Sequence, residues 1–173
     1  DEVGVDIGYH VAAILEGAYG PRMKVAAILK KVYDAGIYGK KSGSGFYFHK
    51  GRQKAVNSKV LRMRSGATFT LSDEVTRKRL IYTMINEASR CLEEGIVDCA
   101  STIDVGMIYG TGFPPFRGGL LKYADSIGAK EIVASLQVFQ TRFDQQRFEP
   151  SQRLLKMAET GTKFYDQQNG ASE

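Results

Sequence analysis

The stretch YGKKSGSGFYFHKG, residues 38–51, contains residue types that could hold a phosphate: glycines, two adjacent lysines and two serines. A phosphate loop of the Walker type has the order G-x-x-x-x-G-K-[ST] between a strand and a helix, so that backbone N–H groups and the helix dipole converge on the phosphate. Here residues 39–42 read GKKS, which is a different order, and they follow a predicted helix and lead into aromatic residues. Glycines permit tight turning. We therefore interpret the stretch as a turn whose Phe46 and Tyr47 anchor the chain on the core, and not as a nucleotide loop.

Other residues that could do chemistry lack suitable partners in the sequence. His10 and His49 have no Ser, Cys or Glu at a spacing typical of general-base catalysis. Cys91 and Cys99 lie eight residues apart, a spacing that matches neither a zinc nor a redox motif. Two cysteines without such a motif indicate a protein of a reduced intracellular compartment. The sequence predicts no catalytic residue and no metal site in this chain.

A second stretch of unusual composition, residues 109–119, reads YGTGFPPFRGG. Its prolines and glycines cannot continue a helix, so the residues after Tyr109 are predicted to form a loop. Two aromatic residues and two prolines make this loop rigid, apolar and exposed, either as a packing corner or as a contact surface. Gly112, Phe113 and Pro114 are therefore candidates for a pocket or contact loop. The ring of Tyr109 could face a cleft or be buried in the core.

Helical periodicity dominates the elements that must position these residues. The predicted helices run from Ile7 to the glycines at 17 and 20, from Pro21 to Gly36, from Ser72 to Gly95, from Ser101 to Tyr109, and near 118–127, 129–143 and 151–160. In the first helix, Ile7, Val11, Ile14 and Leu15 fall on one apolar face. No alternating pattern is long enough for a sheet, so the predicted fold class is all-α.

Composition places the chain among globular proteins, with 43% hydrophobic and 25% charged residues. No apolar run approaches the ~20 residues that a membrane span needs. The chain has neither an initiator Met nor a signal-peptide pattern, so we expect it to begin inside a longer protein.

The formal net charge of +5 is concentrated in one basic stretch. Between Asp34 and Asp73 there is no acidic residue, and there are eight basic ones: Lys40, Lys41, Lys50, Arg52, Lys54, Lys59, Arg62 and Arg64. Such a stretch is either solvated surface or a contact for polyanionic groups. Nucleic-acid binding is disfavoured because aromatic stacking residues occur only at its start and no recognition helix is predicted within it.

An internal repeat in the sequence suggests that the chain contains two copies of one unit. The paired segments are DEVG (1–4) with DSIG (125–128), ILKKVYDAG (28–36) with LLKMAETG (154–161), and GFY (45–47) with KFY (163–165). Each copy has the order helix, proline-marked turn, helix, glycine, aromatic pair. The first copy lacks the long opening helix that precedes the second.

Several of these segments together resemble a known family. The segments are DEVGVDIGYH, GKKSGSGFY, INEASRCLEEGI and IDVGMIYGTGFPPFRGGLLKYADSIGA. They are similar to the C-terminal region of the fatty acid oxidation α subunits, multifunctional proteins that join enoyl-CoA hydratase to NAD-dependent L-3-hydroxyacyl-CoA dehydrogenase. The resemblance covers nearly the whole chain. It implies tandem helical domains of the 6-phosphogluconate dehydrogenase C-terminal type: a truncated first domain at 1–50, a basic linker at 51–71 and a second domain at 72–173.

The resemblance also implies where the chemistry lies. In this family the NAD-binding Rossmann domain, the catalytic His–Glu dyad and a substrate-contacting Asn all precede the matched region, so NAD is expected to bind upstream and not to this chain. In the second copy Lys78 stands where that Asn would be, which implies a catalytically silent copy. The family's α subunits use the aromatic residue before the G-x-G-F-P-P turn as a substrate contact. That residue is Tyr109 here.

The implied role is that of a helical wall for 3-hydroxyacyl-CoA in β-oxidation, with the tandem copies mimicking the homodimer contact of monofunctional relatives. The implied partner is a thiolase β subunit, in the bacterial cytoplasm or the mitochondrion, with no role for nucleic acid. The alternative is a non-catalytic assembly module of the β-oxidation complex that binds the thiolase or associates with itself.

Overall fold

The structure, a computed structural model, describes residues 1–49, 55–65, 70–143 and 146–166. The chain divides into two compact units, Asp1–Thr70 and Leu71–Glu173. Both are mainly helical, and the strands in the described residues form one two-stranded antiparallel ladder. The predicted all-α class is confirmed.

Unit 1 (Asp1–Thr70) is built on a small core of Val5, Val32, Ile37 and Val60. Its elements are α1 (Val5–Tyr19), a 3-10 turn (Gly20–Met23), α2 (Ala27–Asp34), a second 3-10 turn (Lys40–Ser42), β1 (Tyr47–Phe48), β2 (Ala55–Val56) and α3 (Ser58–Arg62). Helix α1 forms as predicted, but its apolar face is exposed. Ile7, Val11, Ile14 and Leu15 are between 37% and 70% exposed, so this face is available to another surface.

The predicted linker at 51–71 is wrong for the part that the structure describes. Residues 55–65 form β2 and α3, and β1 pairs with β2. Asn57 caps α3 and is 1% exposed, and its side-chain amide donates to the carbonyl oxygen of Gly45 at 2.8 Å. These contacts tie 55–65 to residues well upstream, which local periodicity does not reveal. Residues 51–54 and 66–69 of the predicted linker lie outside the described part.

Unit 2 (Leu71–Glu173) is a helical domain in which one long helix packs against three others. Its elements are α4 (Asp73–Glu93), α5 (Ala100–Thr111), a 3-10 turn (Pro115–Arg117), α6 (Leu120–Ile127), α7 (Ala129–Phe143), a second 3-10 turn (Gln146–Phe148) and α8 (Gln152–Thr160). Helix α4 contacts α6, α7 and α8 around fully buried aliphatic side chains such as Ile85, Leu136 and Leu154. The Ser72 hydroxyl accepts from the N–H of Val75, as expected for the predicted cap.

Both units use one aspartate in the same way. Asp1 accepts hydrogen bonds from the backbone N–H groups of Phe46 and the next residue, at 2.8 and 2.9 Å. Asp125 accepts from the N–H groups of Phe164 and the next residue, at 2.8 and 3.2 Å. Each aspartate thus holds the aromatic pair that ends its copy, which supports the predicted internal repeat. The assignment of two dehydrogenase C-terminal domains with the predicted boundaries stays a prediction.

The glycine-rich stretch 38–51 wraps around a carboxylate in its described residues. Gly39 and Gly45 lie so close to Asp1 that a Cβ atom at either position would collide with it. His49 Nε2 also lies 2.9 Å from the Asp1 carboxylate. The amides that could have faced a phosphate therefore face an aspartate, in agreement with the interpretation of this stretch as an anchoring turn.

Candidate functional site

Tyr109 lies in the last turn of α5 and is 86% exposed. Helix α5 continues through Gly110 and Thr111, two residues further than predicted, and ends at Gly112, which has a left-handed backbone (φ 74°). The sequence left two possibilities for the Tyr109 ring, and burial in the core is the wrong one for this chain. The ring is free to contact a ligand or another surface.

The loop after α5 has one inward and one outward aromatic side chain. Phe113 is 8% exposed and its ring packs against Tyr123 with centroids 6.3 Å apart, so of the two alternatives for this loop Phe113 follows the packing corner. The left-handed turn at Gly112 directs the chain back to the core at this residue. Pro114 is exposed, and Phe116, which the sequence did not single out, is 82% exposed.

A buried carboxylate fixes both ends of this loop. Asp104 in α5 is 2% exposed and accepts from the backbone N–H groups of Leu121 (2.6 Å) and Lys122 (3.0 Å) at the start of α6. It also accepts from the hydroxyl of Tyr165 at 2.7 Å. Gly119 lies so close that any Cβ atom there would collide with Asp104. Asp104 is thus the positioning residue of the loop, a role that the sequence pattern did not predict.

Burial and the bond to Asp104 raise the pKa of Tyr165 above its ordinary value. The phenol therefore stays protonated and continues to donate throughout the physiological pH range. The arrangement is a rigid turn that presents Tyr109 and carries no base or nucleophile of its own.

Lys78, which the resemblance places where the family would have its Asn, is engaged in ion pairs within unit 2. Its ammonium lies 2.8 Å from a Glu131 carboxylate oxygen and 3.4 Å from Glu74. The hydrogen bond to Glu131 raises the pKa of Lys78 and lowers that of Glu131. These contacts link α4 to α7, which gives Lys78 a structural role.

The remaining predicted positions are held by local contacts. His10 Nε2 lies 3.3 Å from the Tyr33 hydroxyl. In the basic stretch, Lys40 pairs with Glu2 and Lys41 with Asp6. Lys50, Arg52 and Lys54 lie outside the described residues. In the described ranges no group of three or more His, Cys, Asp or Glu side chains could hold a metal ion, and none of the helices there is long and apolar enough to cross a membrane.

Cys99, just before α5, is expected to react as an unusually acidic thiol. Its Sγ lies 3.1 Å from the hydroxyls of Ser101 and Thr102, and these hydrogen bonds lower the pKa of Cys99 to about 7. Because the thiolate is the nucleophile, alkylation by iodoacetamide should rise with pH and reach half its maximal rate near pH 7. Peptide mass spectrometry would follow Cys99 and Cys91 separately. A half-maximum above about pH 8.5, the ordinary thiol value, would contradict the assignment.

The sequence of the chain matches the 3-hydroxyacyl-CoA dehydrogenase C-terminal domain over residues 1–49 and 76–172. It is 42% identical over 170 residues to a fatty acid oxidation complex subunit alpha of Shewanella loihica, and 40% identical over 167 residues to one of Vibrio vulnificus. Each alignment covers 96% of this chain and 24% of the relative, so the chain spans about a quarter of the length of the curated relatives it matches.

Solved structures show the same fold. A 3-hydroxybutyryl-CoA dehydrogenase from Escherichia coli K12 matches with a TM-score of 0.71 and 18% identity, over 92% of this chain and 50% of that one. The dehydrogenase part of multifunctional enzyme 1 from C. elegans matches with a TM-score of 0.56 and 21% identity, over 86% of this chain and 36% of that one. At these identities the structural similarity establishes the fold alone, whereas the sequence match extends over most of both units. The chain belongs to the family of 3-hydroxyacyl-CoA dehydrogenase C-terminal domains.

Proposed function

We propose that this chain is the helical part of a fatty acid oxidation α subunit whose whole protein oxidises L-3-hydroxyacyl-CoA and also carries enoyl-CoA hydratase. The observation that carries the proposal is the 42% identity to a fatty acid oxidation complex subunit alpha over 96% of the chain. In this proposal the chain forms one wall of the acyl-substrate pocket.

Tyr109 is the residue that we assign to the substrate. Its exposed ring at the end of α5, beside Gly110 and Gly112, supports this assignment, because neither glycine has a side chain that would shield the ring. The carboxylate of Asp104 supports it further, since it holds the loop that follows in one position. Pro114 is also exposed in this loop, and the left-handed backbone of Gly112 allows the chain to turn into the loop.

We propose that NAD, the cofactor of this family of dehydrogenases, binds to a domain that precedes this chain in the longer protein. A dinucleotide site needs a parallel strand, a glycine-rich turn and a helix that meet at the pyrophosphate. The described residues contain only a two-residue antiparallel strand pair, which does not fit this need. We therefore assign no residue here to NAD and no proton or hydride transfer to this chain.

The 173-residue chain alone is expected to show no NAD reduction with L-3-hydroxybutyryl-CoA, because it supplies neither the cofactor fold nor the proton acceptor. The full-length protein that contains it should reduce NAD under the same conditions, followed as absorbance of NADH. Inactivity of the folded full-length protein would overturn the proposed function. Activity of the chain alone would overturn only the proposed division of labour.

A second candidate function is assembly of the β-oxidation complex, with a thiolase β subunit or a second copy as partner. The relatives are named as subunits of a complex, and the exposed apolar face of α1 favours such a contact. We propose that the longer protein acts in the cytoplasm of a bacterium, or in the mitochondrion if its source is eukaryotic.

If the α1 face mediates self-association, light scattering over a dilution series should show a dimer that dissociates on dilution. Ile14→Glu, at a residue 70% exposed on α1, should shift the transition to at least ~10-fold higher concentration. Val138→Glu, at a residue 60% exposed on α7, is the matched control and should leave the concentration of the monomer–dimer transition unchanged. A strict monomer at every concentration would rule out self-association.

A further inference from the structure

A cavity of about 370 Å³ lies in unit 2, between one face of α4 and the turn Gln146–Phe148. This volume lies within the usual range of small-molecule pockets. Its apolar lining comes from Leu80, Met84 and Phe148, and its cationic lining from Arg79 and Arg147. Neither Tyr109 nor the loop that follows it lines this cavity.

The Arg79 guanidinium is fixed in this cavity by aromatic rings. Its Cζ lies 4.0 Å from the centroid of the Phe143 ring and 5.5 Å from that of Phe148. Such stacking satisfies the face of the guanidinium but none of its N–H groups. The Nε–H of Arg79 is buried and makes no hydrogen bond to any described residue. A buried donor without an acceptor is unfavourable, and an anion beside the guanidinium would offset part of this cost.

Like charges around Arg79 point to the same conclusion. Burial lowers the pKa of Arg79, and the nearby guanidinium groups of Arg147 and Arg142 lower it further. A bound anion would offset both effects. Glu87 lines the same cavity but lies eight residues further along α4, about 12 Å along the helix axis. The cavity therefore combines two guanidinium groups with an apolar lining.

We propose that this cavity binds a monocarboxylate with an unbranched alkyl chain. The carboxylate accepts from Arg79, and the alkyl chain lies on Leu80, Met84 and Phe148. A guanidinium suits a carboxylate because two parallel N–H···O bonds can form. The apolar lining favours an alkyl chain over a second charged group.

The test uses the 173-residue chain with decanoate, 1-decanol and inorganic phosphate as probes, by calorimetry and by NMR of ¹⁵N-labelled backbone amides. Decanoate is expected to bind with one-to-one saturation and to shift amides at 76–87 and 147–148. 1-Decanol should bind at least ~10-fold more weakly, since it cannot form the charge-assisted bonds. Inorganic phosphate should bind more weakly than decanoate, because it has no alkyl chain to bury.

Arg79→Met keeps the aliphatic stem, removes the charge and should weaken decanoate binding at least ~10-fold. Arg77→Met, at an exposed arginine of the same helix, is the matched control and should change it less than ~2-fold. Absence of saturable binding, equal binding of decanoate and 1-decanol, or amide shifts elsewhere would each overturn the proposal. If Arg79→Met fails to fold, the shift map and probe ranking of the unmodified chain decide the outcome. If inorganic phosphate binds as tightly as decanoate, the proposal is also overturned, because the site would then select a phosphate group and not an alkyl carboxylate.

Discussion

Replacing Asp104 by alanine is expected to lower the free energy of unfolding of unit 2 by about 3–5 kcal/mol. The carboxylate is 2% exposed and accepts from two backbone N–H groups at the start of α6 and from the Tyr165 hydroxyl. Removal of the acceptor leaves three donors without a partner in a buried site. Each unsatisfied buried donor costs about 1–3 kcal/mol, and partial entry of water reduces their sum.

Hydrogen exchange measured by mass spectrometry suits this prediction, because it follows each unit separately. Amides of α5 and α6 should lose protection in Asp104→Ala, while those of α1 and α2 in unit 1 should keep it. Asp104→Asn, which retains one acceptor oxygen, should show a smaller loss. Asp98→Ala, at an exposed aspartate just before α5, is the matched control and should change stability by no more than about 0.5 kcal/mol. A loss below about 1 kcal/mol for Asp104→Ala would mean that this network does not hold the loop.

The helices of unit 2 were predictable because their signals are local. Ser72 caps α4, and the apolar period that follows it reaches Glu93 in the structure. The composition of 109–119 predicts the end of α5 two residues early because its glycines, Gly110 included, are assigned to the loop. A glycine inside a helix costs only about 1 kcal/mol relative to alanine, and it is Gly112, with its left-handed backbone, that ends the helix.

The periodicity of the sequence does not predict contacts between residues that are far apart in the chain. The strand pair and the Asn57 bond to Gly45 turn part of a predicted linker into structure. The Tyr165 hydroxyl donates to Asp104, 61 residues away in the sequence, and no local sequence pattern predicts this hydrogen bond. A signal was nevertheless present, because Asp104 is the only charged residue in the sequence of α5 and a charge in such an apolar helix often has a buried partner.

The candidate site was only partly accessible from residue types. Composition showed that the loop after α5 is apolar and rigid, but not which rings face outward. The assignment of Tyr109 came from the family resemblance, and the structure contributes its exposure. Phe113 and Phe116 are three residues apart in the same loop and face opposite environments. The backbone turn at Gly112 and the 3-10 turn at Pro115–Arg117 set that difference, and a periodic pattern cannot express it.

In the full-length protein, Tyr109→Ala is expected to raise the Michaelis constant for 3-hydroxyacyl-CoA about 5- to 150-fold and to lower turnover much less. The range corresponds to the burial of one aromatic face by substrate, on the order of 1–3 kcal/mol. Contact that is equal in the ground state and the transition state affects the Michaelis constant rather than turnover. Tyr109→Phe should be mild, because ring packing provides most of this contribution.

Because Tyr109 is exposed, the effect of Tyr109→Ala on the Michaelis constant can be distinguished from an effect on folding stability. A ring that is 86% exposed contributes little to the core, so Tyr109→Ala should leave thermal unfolding of unit 2 unchanged within about 0.5 kcal/mol. Phe116→Ala removes a ring that is 82% exposed in the same loop and serves as the matched control for loss of exposed apolar area. If both variants raise the Michaelis constant equally, the effect belongs to the loop and not to Tyr109. If Tyr109→Ala lowers stability and leaves the kinetics untouched, the ring packs against a neighbouring part of the longer protein, and its assignment to the substrate is wrong.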